Sequence, residues 1–256
     1  MGERTSYPPG TFSWVDLATN DQEGAKSFYG ALLGWQYDDT PIGDDLSYSM
    51  AQVDGQNVAA IGPLQGGEGI PPHWNCYVTV ESADTTAQRA GELGATIVAE
   101  PFDVFDAGRM AVIQDPQGAM LSVWQPKESI GATLVNVPGA LTWNDLISPD
   151  VPASAAFYRD LFGWQIDEIE GSDGQYWSIA NDGRSNGGMM PMPPGSHPAW
   201  NLYFAVDDVD ATVARAGELG GNTVMGPMDI PNGSRLAVLA DPHNAIFSVA
   251  SGEMDD

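Results

Sequence analysis

Cysteine is almost absent from this chain of 256 residues: Cys76 stands alone. A single cysteine excludes an intramolecular disulfide and any Cys-based metal cluster within one chain. Histidine is nearly as scarce. His73, His197 and His243 are the full set; His73 and His197 sit beside prolines, and His243 reads as a turn residue after Asp241-Pro242. Cations are few as well: Lys+Arg number 9 against 35 Asp+Glu, a formal net charge of −26. That charge repels phosphate backbones and anionic membrane surfaces, so neither nucleic acid nor membrane is an expected partner. It suits a soluble protein and favours basic ligands. No run of about 18 apolar residues spans a membrane. The opening MGERTSYPPG has no apolar stretch, so no signal peptide is expected and the cytoplasm is the expected location. A nucleophile elbow, a Walker loop and a dinucleotide fingerprint are all missing.

What the chain does have is an internal repeat. Residues 12–35 read FSWVDLATNDQEGAKSFYGALLGW and residues 141–164 read LTWNDLISPDVPASAAFYRDLFGW. Trp14, Asp16, Leu17, Phe28, Tyr29, Leu32, Gly34 and Trp35 recur as Trp143, Asp145, Leu146, Phe157, Tyr158, Leu161, Gly163 and Trp164, at a constant offset of 129 (158 − 29). A fixed period of this kind marks duplication. A second pair of stretches, Trp74–Gly94 and Trp200–Gly220, repeats at an offset of 126 (216 − 90). Arg109–Val112 and Asp115-Pro116 recur at the same spacing as Arg235–Val238 and Asp241-Pro242.

Period-two alternation over 12–17 predicts a strand. Asn20 or Asp21 is placed to cap the helix that follows, Ala25, Phe28, Tyr29, Leu32 and Leu33 give it one apolar stripe, and Gly34 stops it. Strands are predicted near 35–38, at 47–53 and at 57–63. After a Gly- and Pro-rich loop at 64–73 the order begins again: strand 74–80, helix 82–93, strands 96–100, 109–114 and 120–125. Asp115–Gly118 is a turn. Four β-α-β-β-β units therefore follow one another. Residues 1–10 read as a flexible arm, 11–126 as the first module, 127–139 as a linker and 140–252 as the second module.

The pattern strand–xxD–AxxFYxxLxGW, then strand–AxELG, then DPxGxxxS resembles the vicinal-oxygen-chelate superfamily, which includes glyoxalase I, extradiol dioxygenases and bleomycin-resistance proteins. The resemblance runs over nearly the whole chain, twice. Residues 10–39 and 130–144 resemble most the two-module actinobacterial branch, which includes a mycobacterial glyoxalase-type antigen and so-called hydroxylases of anthracycline gene clusters. It implies an α+β fold: tandem modules whose four units form two cupped mixed sheets with helices outside. Fold alone does not settle function here, because this fold hosts lyases, dioxygenases and binders.

Metal-using members hold a divalent ion with His or Glu on the first, fourth, fifth and eighth strands of a module. Carried over, the first-strand position falls on Trp14 and Trp143, the fifth-strand position near Asn75 and Asn201, and the eighth on Ser122 and Ser248. The fourth-strand position lies within Ala59–Ile61 and Gly188–Met190. Indole does not coordinate a metal, and Asn and Ser are poor ligands for Zn²⁺ or Fe²⁺. The same losses in both modules predict that no metal and no other cofactor is bound.

With Trp14 facing inward, alternation brings Asp16, Asn75, Tyr77, Met110, Ser122 and Trp124 to the same surface. Trp143, Asp145, Asn201, Tyr203 and Ser248 do so in the second module. This is an aromatic, polar-dotted cup of the kind that takes a small molecule. Trp14 and Trp143 either line the cups or plug them. Asp16 and Asp145 either brace neighbouring strands or meet an amino group on a ligand. Cys76 has the opposite parity and is expected to be a buried small hydrophobe facing the helices. Arg109 and Arg235 are expected to pair with Asp103, Asp106 or Asp229.

The expected function is metal-independent binding of a flat aromatic ligand of the polyketide-antibiotic type. The protein would sequester the ligand or hand it to a partner oxygenase, in natural-product biosynthesis or self-resistance. A glyoxalase-type lyase or an oxygenase is the alternative, and an interaction protein with a vestigial cup is a third. Two modules in one chain can imitate the dimer of single-module relatives, so either a monomer or a homodimer is expected.

Overall fold

The structure, a computed structural model, describes residues 2–43, 46–65, 69–172, 175–230 and 233–252. The first module runs β1 (Phe12–Thr19), α1 (Gln22–Leu33), β2 (Gln36–Gly43), β3 (Leu46–Val53), β4 (Gln56–Pro63), β5 (His73–Thr79), α2 (Ala83–Glu92), β6 (Thr96–Val104), β7 (Gly108–Gln114) and β8 (Met120–Pro126). The second repeats the order with β9 (Leu141–Ser148), α3 (Val151–Phe162), β10 (Gln165–Glu168), β11 (Trp177–Asn181), β12 (Arg184–Pro191), β13 (Ala199–Ala205), α4 (Val209–Glu218), β14 (Asn222–Asp229), β15 (Arg235–Ala240) and β16 (Ile246–Ser251). Each module forms one 8-stranded mixed sheet, ordered β2-β3-β4-β1-β5-β8-β7-β6 and β10-β11-β12-β9-β13-β16-β15-β14. Within the predicted loop at 64–73, residues 66–68 lie outside the described residues.

Local chemistry sets the helix ends. The Asp21 carboxylate accepts the Gly24 N–H at 2.9 Å, satisfying one of the donors left open at a helix start. Gly34 closes α1 with φ 76°, a left-handed conformation that glycine adopts at no steric cost. Asp150 and Gly163 do the same for α3, with φ 74° at the glycine. These caps and stops coincide in the two copies because the residues that make them are repeated.

Among the described residues the helices α1–α4 lie on the sheet faces opposite the cups, and these two faces pack together. One continuous apolar core therefore joins the modules. Phe12 packs at a tilt against Trp200 and Trp35 edge-to-face against Phe204, with ring centroids 4.9 and 5.1 Å apart. Buried polar groups cross the seam reciprocally. Tyr29 Oη donates to Asp241 at 3.3 Å and accepts from Trp74 Nε1 at 3.0 Å. Tyr158 Oη donates to Asp115 at 2.9 Å and accepts from Trp200 Nε1 at 2.9 Å. Cys76 is buried here, beside Asn144 Nδ2 at 3.4 Å, and burial pushes its thiol up to about 12.

The arm and linker are bound into this frame. Trp164 Nε1 donates to Gly10 O at 2.7 Å, and Trp35 Nε1 donates to Gly139 O at 2.6 Å. Residues 2–4, expected to be part of a flexible arm, pair with the linker instead: Arg4 N–H donates to Thr133 O at 2.9 Å and Val135 N–H to Gly2 O at 2.8 Å. The partners of Arg109 and Arg235 also differ in part from expectation. Arg109 meets Asp84 at 2.7 Å and Asp103 at 3.4 Å, and Arg235 meets Asp210 at 2.6 Å and Asp229 at 2.7 Å. Asp84 and Asp210 head α2 and α4, which cross behind the strands that carry the arginines.

Candidate functional site: two aromatic cups

Register fixes which residues share each cup. In the first module Trp14 lies opposite Tyr77 and Asp16 opposite Asn75. Asp16 is also level with Ala60, Tyr77 with Ser122, and Trp124 with Met110. The sequence-predicted set of the first module is thus brought to one face. In the second, Trp143 lies opposite Tyr203 and Asp145 opposite Asn201, while Asp145 is level with Gly188 and Tyr203 with Ser248.

At the bottom of each cup sits a buried carboxylate. Asp16 Oδ2 accepts from Tyr48 Oη and Tyr77 Oη, both at 2.8 Å, and Oδ1 accepts from Asn75 Nδ2 at 2.8 Å. Trp14 Nε1 donates to Tyr48 Oη at 2.9 Å. Asp145 Oδ1 accepts from Tyr176 Oη at 2.8 Å and from Trp143 Nε1 at 2.9 Å, and Tyr203 lies opposite Trp143 beside the same carboxylate. Burial raises the pKa of both aspartates, and the surrounding donors oppose that rise. The bracing role foreseen for Asp16 and Asp145 is filled from inside the protein. Tyr48 and Tyr176 complete the lattices and were missed by sequence reasoning. They stand 128 residues apart (176 − 48), one short of the repeat offset, and that spacing could have revealed them.

The cups differ above this lattice. Cup one is closed by its own residues. Trp14 and Trp124 are each only 8% exposed and Tyr77 7%. Trp124 Nε1 donates to Ser129 O at 2.9 Å, and Ala132, Val135 and Tyr7 pack against the same cluster. Glycine at 108 makes room for the Trp124 ring, which a Cβ there would overlap. In cup two the counterparts of Gly108 and Trp124 are Ser234 and Ala250, so the capping indole is missing (124 + 126 = 250). Trp143 is half-buried rather than buried. Asn201 Nδ2 donates to Ser248 Oγ at 3.0 Å, where its counterpart Asn75 donates to Asp16.

Among the described residues no three His, Cys, Asp or Glu side chains converge as a metal site. The positions that hold the ion in metal-using relatives carry Trp, Ala or Gly, Asn and Ser, a set without a strong ligand for a divalent metal. The residues present do not fit that group. The histidines lie elsewhere: His243 Nε2 is 3.1 Å from Asp21, and His73 Nδ1 is 2.9 Å from Pro71 O.

Paired eight-stranded cups with helices on their backs define a tandem vicinal-oxygen-chelate protein. The chain belongs to the glyoxalase/bleomycin resistance protein/dioxygenase superfamily, whose family model matches residues 11–123 and 140–249. It is 45% identical over 254 residues to CFP32 of Mycobacterium tuberculosis (strain CDC 1551 / Oshkosh), which is named as a candidate glyoxylase, covering 97% of each chain. It is 34% identical over 262 residues to the anthracycline biosynthesis protein DauV of Streptomyces sp. (strain C5), covering 96% of this chain and 94% of that one. Among solved structures, the Mn(II)-bound glyoxalase from Novosphingobium aromaticivorans superposes with a TM-score of 0.68 at 15% identity, covering 100% of this chain and 84% of that one. The 2,3-dioxygenase LapB from Pseudomonas sp. KL28 gives 0.68 at 12% identity, covering 97% and 94%. At such identity these two structures show the fold alone.

Proposed function

We propose that the protein is a metal-independent small-molecule binder whose second cup takes a flat aromatic ligand, and that it sequesters that ligand or passes it on. The observation that carries this reading is the replacement of the family's metal-holding positions, in both modules, by an aromatic lattice built on a carboxylate. Such a lattice offers ring faces and hydroxyl groups and no open metal coordination position. The second cup is the better receptor because Trp143 is half-buried and the residue that caps cup one is an alanine there. The relatives named for anthracycline biosynthesis support a polycyclic aromatic ligand. The solved metalloenzymes of the same fold support the alternative, a lyase or oxygenase, at the level of fold.

A hydroxyanthraquinone titrated into the protein, followed by tryptophan fluorescence, tests the proposal. Saturable quenching is expected, with affinity falling about 2- to 12-fold in Trp143→Ala, the loss of one aromatic stack at about 0.5–1.5 kcal/mol. Trp14→Ala, where it folds, should keep the wild-type affinity. The reading fails if no quenching saturates, or if chelated protein binds nothing yet turns over a methylglyoxal–thiol adduct once Mn²⁺ is added.

A further inference from the structure

A cavity of about 440 Å³ lies between the N-terminal arm and the starts of β9 and β12. Its place in the pseudo-symmetry identifies what fits it. On the first module the corresponding slot, between the starts of β1 and β4, is filled by an extended stretch of the linker. Ser13 sits at the register shift in β1, and its outward carbonyl accepts the Ala132 N–H at 2.8 Å. Asn57 O accepts the Thr133 N–H at 2.8 Å, and Asn57 N–H donates to Thr133 Oγ1 at 2.9 Å.

The counterparts on the second module are Thr142 (13 + 129) and Ser185 (57 + 128). Thr142 occupies the same register shift in β9, and both residues line the cavity. The Thr142 hydroxyl is buried and unpaired, whereas that of Ser13 bonds to Thr79 Oγ1 at 2.7 Å. By the repeat, arm residues 3 and 4 are the counterparts of 132 and 133 (4 + 129 = 133) and would fill this slot under strict symmetry. They do not, because Arg4 N–H pairs with Thr133 O. A strand-shaped slot is thereby left on the second module.

We propose that this slot binds an extended peptide segment of a partner protein, by main-chain pairing to Thr142 and Ser185, with one acidic side chain at the position equivalent to Thr133. A carboxylate there takes the place of the Thr133 hydroxyl toward the Ser185 N–H and meets the exposed guanidinium of Arg184, which lines the cavity. In a chain with 9 cations against 35 anions, two arginines in one cavity make a local exception to the acidic surface. The inference is independent of the aromatic-ligand reading, and the two sites share only Trp143.

The test is calorimetric titration of blocked synthetic peptides into the full chain. The probe copies residues 129–137 with aspartate in place of threonine: Ser-Ile-Gly-Ala-Asp-Leu-Val-Asn-Val. One probe should bind per chain. Binding should weaken about tenfold or more for the threonine parent, and likewise for the acidic probe with Arg184→Ala. Methylating the two amide nitrogens that match Ala132 and Thr133 should abolish it. Arg184 is exposed, so its truncation leaves the fold intact. No heat with the acidic probe, equal affinity of the methylated probe, or indifference to Arg184→Ala would each overturn the proposal; the last would show displacement of the linker on the first module.

Discussion

The two cups start from the same lattice of tryptophan, two tyrosines and an aspartate, and diverge in what lies over it. Cup one is closed by Trp124, by the linker after β8 and by Tyr7, whose hydroxyl donates to Ala132 O at 2.7 Å. Cup two has Ala250 in place of that indole. Duplication thus preserved the polar base, where an uncompensated buried carboxylate would be costly, and let the cover vary. A conserved base under different covers separates the structural part of the cup from the part free to acquire a ligand.

The largest effect that would break this comparison is on stability. Trp14→Ala empties a packed interior and should cost about 3–5 kcal/mol in denaturant unfolding. Trp143→Ala, at a half-buried site, should cost less than half as much. Equal losses would mean the second cup is plugged like the first. The fourth-strand pair sharpens the contrast. A Cβ on Gly188 would overlap the Tyr176 hydroxyl and the Asp145 carboxylate, so Gly188→Ala should destabilise by about 1–3 kcal/mol. Ala60, on the same cup face of module one, already carries that carbon, and Ala60→Gly should cost about 1 kcal/mol or less.

The smallest effect is pH dependence. Both cup aspartates have folded-state pKa values raised above the ordinary carboxylate value, chiefly by burial. A raised pKa favours the protonated form in the fold. Its stabilising contribution is therefore complete at acid pH below the unfolded pKa and is lost as pH climbs through the folded value. Asp16→Asn and Asp145→Asn remove that loss, so each variant should gain on the wild type as pH rises across this window, in paired unfolding curves. A wild type that instead gains on the variants as pH rises would mean the carboxylates are held ionised by their donors.

Much of this architecture is written locally. The Asp21 and Gly34 signals set α1, and strand alternation placed Trp14, Asp16, Asn75, Tyr77, Ser122 and Trp124 on one face, because a strand's side-chain period leaves only two choices. What local pattern does not carry is what each face meets. The apolar stripe of α1 reads the same whether it covers one sheet or, as here, helps to join two. Tyr48 reaches Asp16 only through the β3–β4–β1 register, and Arg109 finds Asp84 only because α2 packs behind β7. Whether a tryptophan lines a cup or plugs it depends on residues more than a hundred positions away: Trp14 is enclosed with Trp124, Ala132 and Val135.

Calorimetric titration of a hydroxyanthraquinone into chelator-treated protein, repeated after loading with Mn²⁺, tests the central claim most directly. The account predicts one ligand per chain, from the second cup alone, with the same affinity in both preparations. Two ligands per chain would contradict the difference between the cups, and binding that appears only with Mn²⁺ would contradict metal independence.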